Sequence, residues 1–141
     1  MTDTAPLPTR AVVLGELPAQ LTIKGGLNPF THERYEVRVE VDAPPFLRLE
    51  AVGLDLAFHV LDPFIVLEDY SPELCEDDAR FLELEGPAET RLLSIVNLKN
   101  GTGKATVNLA APIVVNTRTG VAKQVILHNA SQFSVRHPLT A

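Results

Sequence analysis

The residues of this 141-residue chain best suited to chemistry are four histidines, one cysteine and one glycine-rich tetrapeptide. His32, His59, His128 and His137 have no histidine partner at i+2 or i+4, so no local metal chelate is encoded. His59 sits between Phe58 and Val60 in an apolar run, which suits a satisfied or surface histidine better than a ligand or base. Cys75 stands alone, and both a disulfide and a Cys-rich zinc site need a second thiolate. It sits among the acids Glu73, Glu76 and Asp77, a setting that makes it a weak nucleophile, leaving a buried or half-buried thiol as the expectation. Gly101-Thr-Gly-Lys104 hints at a phosphate loop. A Walker A loop, however, needs glycine five residues before its last Gly and Ser or Thr after its Lys, where this chain has Leu98 and Ala105. A hairpin turn is the better reading. No Gly-x-Ser-x-Gly elbow occurs. The expectation is a protein that is not an enzyme, with no catalytic residues, no metal and no cofactor.

Charge is more informative than chemistry. From Glu68 to Glu89 there are nine acidic residues against the single base Arg80, a net of −8. From Arg91 onward there are six bases and no acid, a net of +6. An overall charge of −6 repels phosphate backbones, so direct nucleic-acid binding is not expected, and a basic protein partner is the natural counterpart. A solvated helix with its loops would account for the acidic run equally well. The hydrophobic content of 45% suffices for one core, so residues 1–141 read as a single domain, with 1–10 as a flexible N-terminal extension. No apolar run approaches the roughly 18 residues of a membrane span, and the start lacks the pattern of a signal peptide. A cytoplasmic protein without a membrane contact follows as the expectation.

The elements that would carry these residues are mostly strands. Tyr35 to Val41 and Phe46 to Val52 alternate with period two, separated by a turn at Asp42-Ala-Pro-Pro45. Further apolar runs cover Ala11 to Leu14, Leu21 to Ile23, Leu56 to Leu61, Arg91 to Leu98, Ala105 to Leu109, Ile113 to Val115 and Val121 to Leu127. The last of these places Ile126 among paired, buried strand residues. Asn100 to Gly103 and Asn116 to Gly120 supply turn chemistry. The predicted fold is mainly β, a small antiparallel β-barrel-like domain, with a sandwich as the other arrangement. One short helix is expected within Ser71 to Leu84. Glu76, Asp77 and Asp78 crowd its start, Ala79, Phe81 and Leu82 share one side, and Gly86-Pro87 stops it.

Several phrases together resemble one family. Ala105-Thr-Val-Asn-Leu-Ala-Ala-Pro-Ile-Val-Val-Asn116, Lys123-Gln-Val-Ile-Leu127 and Arg136-His-Pro-Leu139 are similar to the C-terminal signature of the flagellar assembly factor FliW family. Pro45-Phe-Leu, Leu56-Ala-Phe58, Leu61-Asp-Pro-Phe64 and Asp69-Tyr70 follow the family's order and approximate spacing, so the resemblance spans nearly everything after Leu21. The family's Phe-Pro-x-Gly-Ile/Leu-Pro-Gly-Phe is here Ile23-Lys-Gly-Gly-Leu-Asn-Pro-Phe30. Gly26, Leu27 and Phe30 match, whereas Lys24, Asn28 and Pro29 depart.

The resemblance implies a bacterial cytosolic protein that binds the translational regulator CsrA, relieves its repression of flagellin mRNA, and also binds flagellin as a chaperone. An RNA-binding regulator carries basic surface, which gives the acidic run a physical role in speeding encounter. The partner-binding residues expected on this basis are Glu68, Asp69, Asp77 and Asp78 for field, with Phe64 and Tyr70 as the nearest aromatic anchors. Both rings equally suit the core. The competing function is a small-ligand carrier, since β-barrels often enclose a cavity.

Overall fold

The computed structural model describes residues 4–6, 17–40, 46–98 and 105–139. The strands are β1 (Thr4–Pro6), β2 (Gln20–Ile23), β3 (Arg34–Val39), β4 (Leu47–Ala51), β5 (Ala57–Leu61), β6 (Glu73–Cys75), β7 (Thr90–Asn97), β8 (Thr106–Val107), β9 (Ile113–Asn116), β10 (Val121–Gln124) and β11 (His137–Pro138). Two short helices, α1 (Pro63–Val66) and α2 (Glu76–Phe81), follow β5 and β6. The order β7-β5-β4-β3-β2-β10-β9 closes when β9 pairs back onto β7, giving a seven-stranded barrel. Closure matters because it leaves these strands without open edges. Every neighbour in the ring is antiparallel except β2 and β10, which run parallel with Thr22 opposite Val121. The antiparallel expectation therefore fails at this one seam, where distant parts of the chain meet without a hairpin to set their direction.

Alternation along β4 identifies the inside. Leu47, Leu49 and Ala51 are buried, while Arg48 is exposed and Glu50 half-buried. The same interior holds Leu21, Ile23, Tyr35, Val60, Leu93, Ile113 and Val115, so side chains fill the barrel axis. Outside, Arg38 bridges Glu36 at 2.9 Å and Glu50 at 3.2 Å, a charged outer face that keeps β3 and β4 solvated. β7 differs because Thr90 to Ser94 are buried at every position. Its outer face is covered by a second apolar layer containing Phe64, Tyr70, Leu74, Leu82, Leu92, Val114 and Leu127. Phe64, Tyr70, Leu74 and Leu82 of the segment carrying the acidic run pack there on Leu92 and Val114 of the barrel wall, together with Leu127 from the chain beyond β10.

Several expectations change on contact with the structure. The apolar run ending at Leu127 leaves the sheet at Gln124, and Ile126 projects outward with 73% exposure between buried Val125 and Leu127. The burial expected of Ile126 is therefore incorrect, since alternation there continues with the opposite residues inward. A second helix, α1, was not expected. Its start is encoded in Asp62-Pro63, where the Asp62 side chain accepts from the Phe64 N–H at 2.9 Å and Pro63 fills the first turn. Within α2, Leu82 at the C-cap turns inward but Phe81 is exposed, so the expected shared face is split. Thr4–Pro6 form β1, which pairs with β6. The expected strand at Ala11 to Leu14, the Pro44-Pro45 turn and the Gly101 to Lys104 hairpin lie outside the described residues.

At the departure from the family's first phrase, Gly26 adopts φ of +71°, and a Cβ there would overlap the Phe30 carbonyl. Only glycine fits this turn. Lys24 and Asn28 are exposed around it, outside the packing.

Candidate partner-binding surface

The acidic segment is anchored from beneath by buried polar groups. Asp62 caps α1 and faces Arg91 of β7, with carboxylate and guanidinium 3.8 Å apart and both side chains almost wholly buried. Burial pushes the Asp62 carboxyl above its usual range, while the Phe64 N–H and the Arg91 charge pull the other way. Asn129 clamps the next stretch: its side chain accepts from the Glu73 N–H and donates to the Ser71 carbonyl, each at 2.9 Å. Asn116, at the end of β9, donates to the Leu82 carbonyl at 2.8 Å and accepts from the Arg118 N–H at 2.9 Å. These asparagines satisfy backbone groups that strands and helices leave over.

Against this frame the expected site residues separate into three groups. Phe64 and Tyr70 are buried, edge to face at 5.4 Å, and Tyr70 stacks similarly on Phe133 at 4.8 Å. The Tyr70 hydroxyl donates to the Leu109 carbonyl at 2.6 Å. Burial raises its pKa far above the ordinary tyrosine value, so it stays a donor. The assignment of these two rings as exposed anchors is therefore incorrect, because their apolar faces are already spent on the layer over β7. Glu68 and Asp69 form the second group, exposed at the tip of the turn closed by the Tyr70 N–H on the Leu67 carbonyl at 3.0 Å.

The α2 acids are the third group, and they diverge. The Asp77 side chain is 91% exposed beside Arg80. Asp78 is turned onto the barrel, where it meets Lys123 of β10 at 2.6 Å. The Lys123 ammonium also lies 5.2 Å from the ring centre of Phe81. Phe81 is 53% exposed and borders a cavity of about 220 Å³ lined by Lys24, Leu82, Glu83, Thr119 and Val121. Further along, Arg118 bonds Glu89 at 3.2 Å, and with the Glu85 N–H it holds the Glu89 carboxyl below its usual range. Part of the acidic run is thus answered by the basic third of the chain. Glu68 and Asp69 remain solvent-facing without an ion pair among the described residues.

Sequence reasoning missed Phe81 as the exposed aromatic of this face. The signal was its position directly before the inward-turning Leu82 at the end of a two-turn helix. Among the described residues no group of three or more His, Cys, Asp or Glu is arranged to hold a metal. His59 instead faces Glu40 at 3.8 Å on the outer barrel wall. No helix among the described residues is long and apolar enough to cross a membrane.

With this geometry in hand, comparison with known proteins decides the family. The model of the family described as FliW protein matches residues 13–139. The chain belongs to the FliW family of flagellar assembly factors. It is 39% identical over 113 residues to the flagellar assembly factor FliW of Bacillus licheniformis, covering 79% of each chain. The FliW of Bacillus subtilis is 32% identical over 121 residues, covering 84% of each. A solved structure described as the crystal structure of the flagellar assembly factor FliW superposes with a TM-score of 0.78 at 26% identity, covering 87% of this chain and 86% of that one. The barrel and the layer over β7 are therefore a FliW fold, and the acidic surface is a feature of a FliW protein.

Proposed function

We propose that this FliW protein acts in the cytoplasm by binding the translational regulator CsrA, which relieves repression of flagellin mRNA, and by binding flagellin as a chaperone. The two bindings make a switch: export of flagellin frees the factor, and the freed factor captures the regulator. The observation that carries this reading is the family match over residues 13–139, joined to the solvent-facing acidic turn at Glu68 and Asp69. A protein that reads RNA must present positive charge to phosphates, and Glu68, Asp69 and Asp77 present the opposite sign. Asp78 supports this face through Lys123 rather than meeting the partner. The side-chain-filled barrel interior gives the small-ligand carrier no support.

A reconstitution tests the reading. CsrA bound to a flagellin leader RNA is titrated with the purified chain, and flagellin is added afterwards. The expected result is release of RNA by the chain and its reversal by flagellin. RNA that stays on CsrA at saturating chain would overturn the reading.

A further inference from the structure

We propose that the cavity at the C-terminal end of α2 receives a lysine or arginine side chain of the basic regulator, held between the Phe81 ring and the Glu83 carboxylate. The identity of that partner rests on the proposed function. Glu83 carries the assignment of the site. Its φ is +55°, the one positive φ outside glycine among the described residues. The Leu84 N–H donates to the Ala79 carbonyl and the Glu83 N–H to the Arg80 carbonyl, each at 3.0 Å, so α2 ends in a Schellman motif with Glu83 where glycine usually stands. A side chain works against folding at such a position. The conformation is fixed from the far side, where Asn116 donates to the Leu82 carbonyl at 2.8 Å and Arg118 to the Glu83 carbonyl at 2.9 Å. Among the described residues the Glu83 carboxylate makes no hydrogen bond or ion pair, and the side chain is exposed. A residue held against its local preference, with its charged group turned outward, is placed for a contact outside the chain.

The cavity beside Glu83 measures about 220 Å³, room for one long side chain, and is lined by Lys24, Phe81, Leu82, Glu83, Thr119 and Val121. Its chemistry sets the sign of the occupant. The face of an aromatic ring attracts cations, and Phe81 already has the Lys123 ammonium 5.2 Å from its centre while remaining 53% exposed. The end of a helix carries partial negative charge, which the Arg118 guanidinium meets here at the Glu83 carbonyl. Two cations stand nearby, and neither commits the cavity to an acid. Lys123 is neutralised by Asp78 at 2.6 Å. Lys24 is exposed on a flexible stem that can carry its ammonium into solvent. What stays fixed is a ring beside a carboxylate, and a lysine or arginine fits both at once.

Binding of purified CsrA to the full chain and to two variants is measured by calorimetry at about 0.15 M salt, beside thermal melts of each chain. Glu83→Gly should bind roughly three- to tenfold more weakly yet melt no lower than wild type, because glycine accepts the positive φ without strain. A merely structural role for Glu83 cannot produce that combination. Lys24→Gln should bind no more weakly than wild type, since it removes a like charge from beside the incoming cation. Equal binding by Glu83→Gly and wild type overturns the proposal. Weaker binding by Lys24→Gln does so too, by assigning the cavity to an acidic group, as does a Glu83→Gly chain that melts well below wild type. A wild-type chain that does not bind CsrA defeats the proposed function itself, a result distinct from each of these.

Discussion

Asp78 and Lys123 meet at 2.6 Å although they lie 45 positions apart, which ties the acidic helix α2 to β10 of the barrel. The contact changes the meaning of the charge asymmetry. The acidic segment and the basic third partly neutralise each other within the fold, leaving a smaller set of acids for a partner.

Asp78→Asn should therefore cost stability, by about 1 kcal/mol, because a partly buried, charge-assisted bond is lost. Asp77→Asn should change stability by less than about 0.5 kcal/mol, since a fully solvated pair contributes little. Urea unfolding of the two variants beside wild type separates them.

Tyr70→Phe should destabilise by about 1 to 3 kcal/mol, since it leaves the buried Leu109 carbonyl without its donor. The pH dependence has a definite sign. The folded-state pKa of Tyr70 is raised, so its contribution is intact below the ordinary tyrosine value near 10 and is lost as pH rises through that value toward the folded one. Wild-type stability should fall above about pH 10 by up to roughly 1.4 kcal/mol per pH unit for each such group. Tyr70→Phe removes its own share of that loss and leaves the share of Tyr35, which is also raised. Denaturant midpoints from pH 8 to 11 check both statements.

Leu127→Ala should lower stability by about 2 to 5 kcal/mol, whereas Ile126→Ala should stay within about 0.5 kcal/mol of wild type. The two residues are adjacent, but Leu127 is buried in the layer over β7 and Ile126 faces solvent. Melting temperatures of the pair read out the alternation directly.

The barrel strands were legible because their alternation is a local signal: Leu47, Leu49 and Ala51 against Arg48 and Glu50 name their own faces. The acidic start of α2 was legible for the same reason, through the helix dipole. What was not legible depends on distant partners. The parallel seam between β2 and β10 joins segments about a hundred residues apart. Tyr70 follows Glu68 and Asp69 in sequence, and nothing local says that its ring turns under them onto Phe133 and Leu109. Ile126 was misread because an apolar run without polar alternation does not state its own inward face. The pairing of β1 with β6 was hidden behind a Thr-Ala-Pro stretch that carries no strand signal.

The central claim, that the solvent-facing acids steer this protein onto a basic regulator, is tested most directly by the association rate with CsrA at two ionic strengths. The variant replaces Glu68 by Gln and Asp69 and Asp77 by Asn, and leaves Asp78 in place to preserve the fold. At about 0.02 M salt its association should be roughly three to ten times slower than wild type with an unchanged dissociation rate, and the gap should narrow near 0.15 M, where the Debye length is about 8 Å. Association at the wild-type rate in low salt would contradict the claim and reduce the acidic turn to a solvated surface.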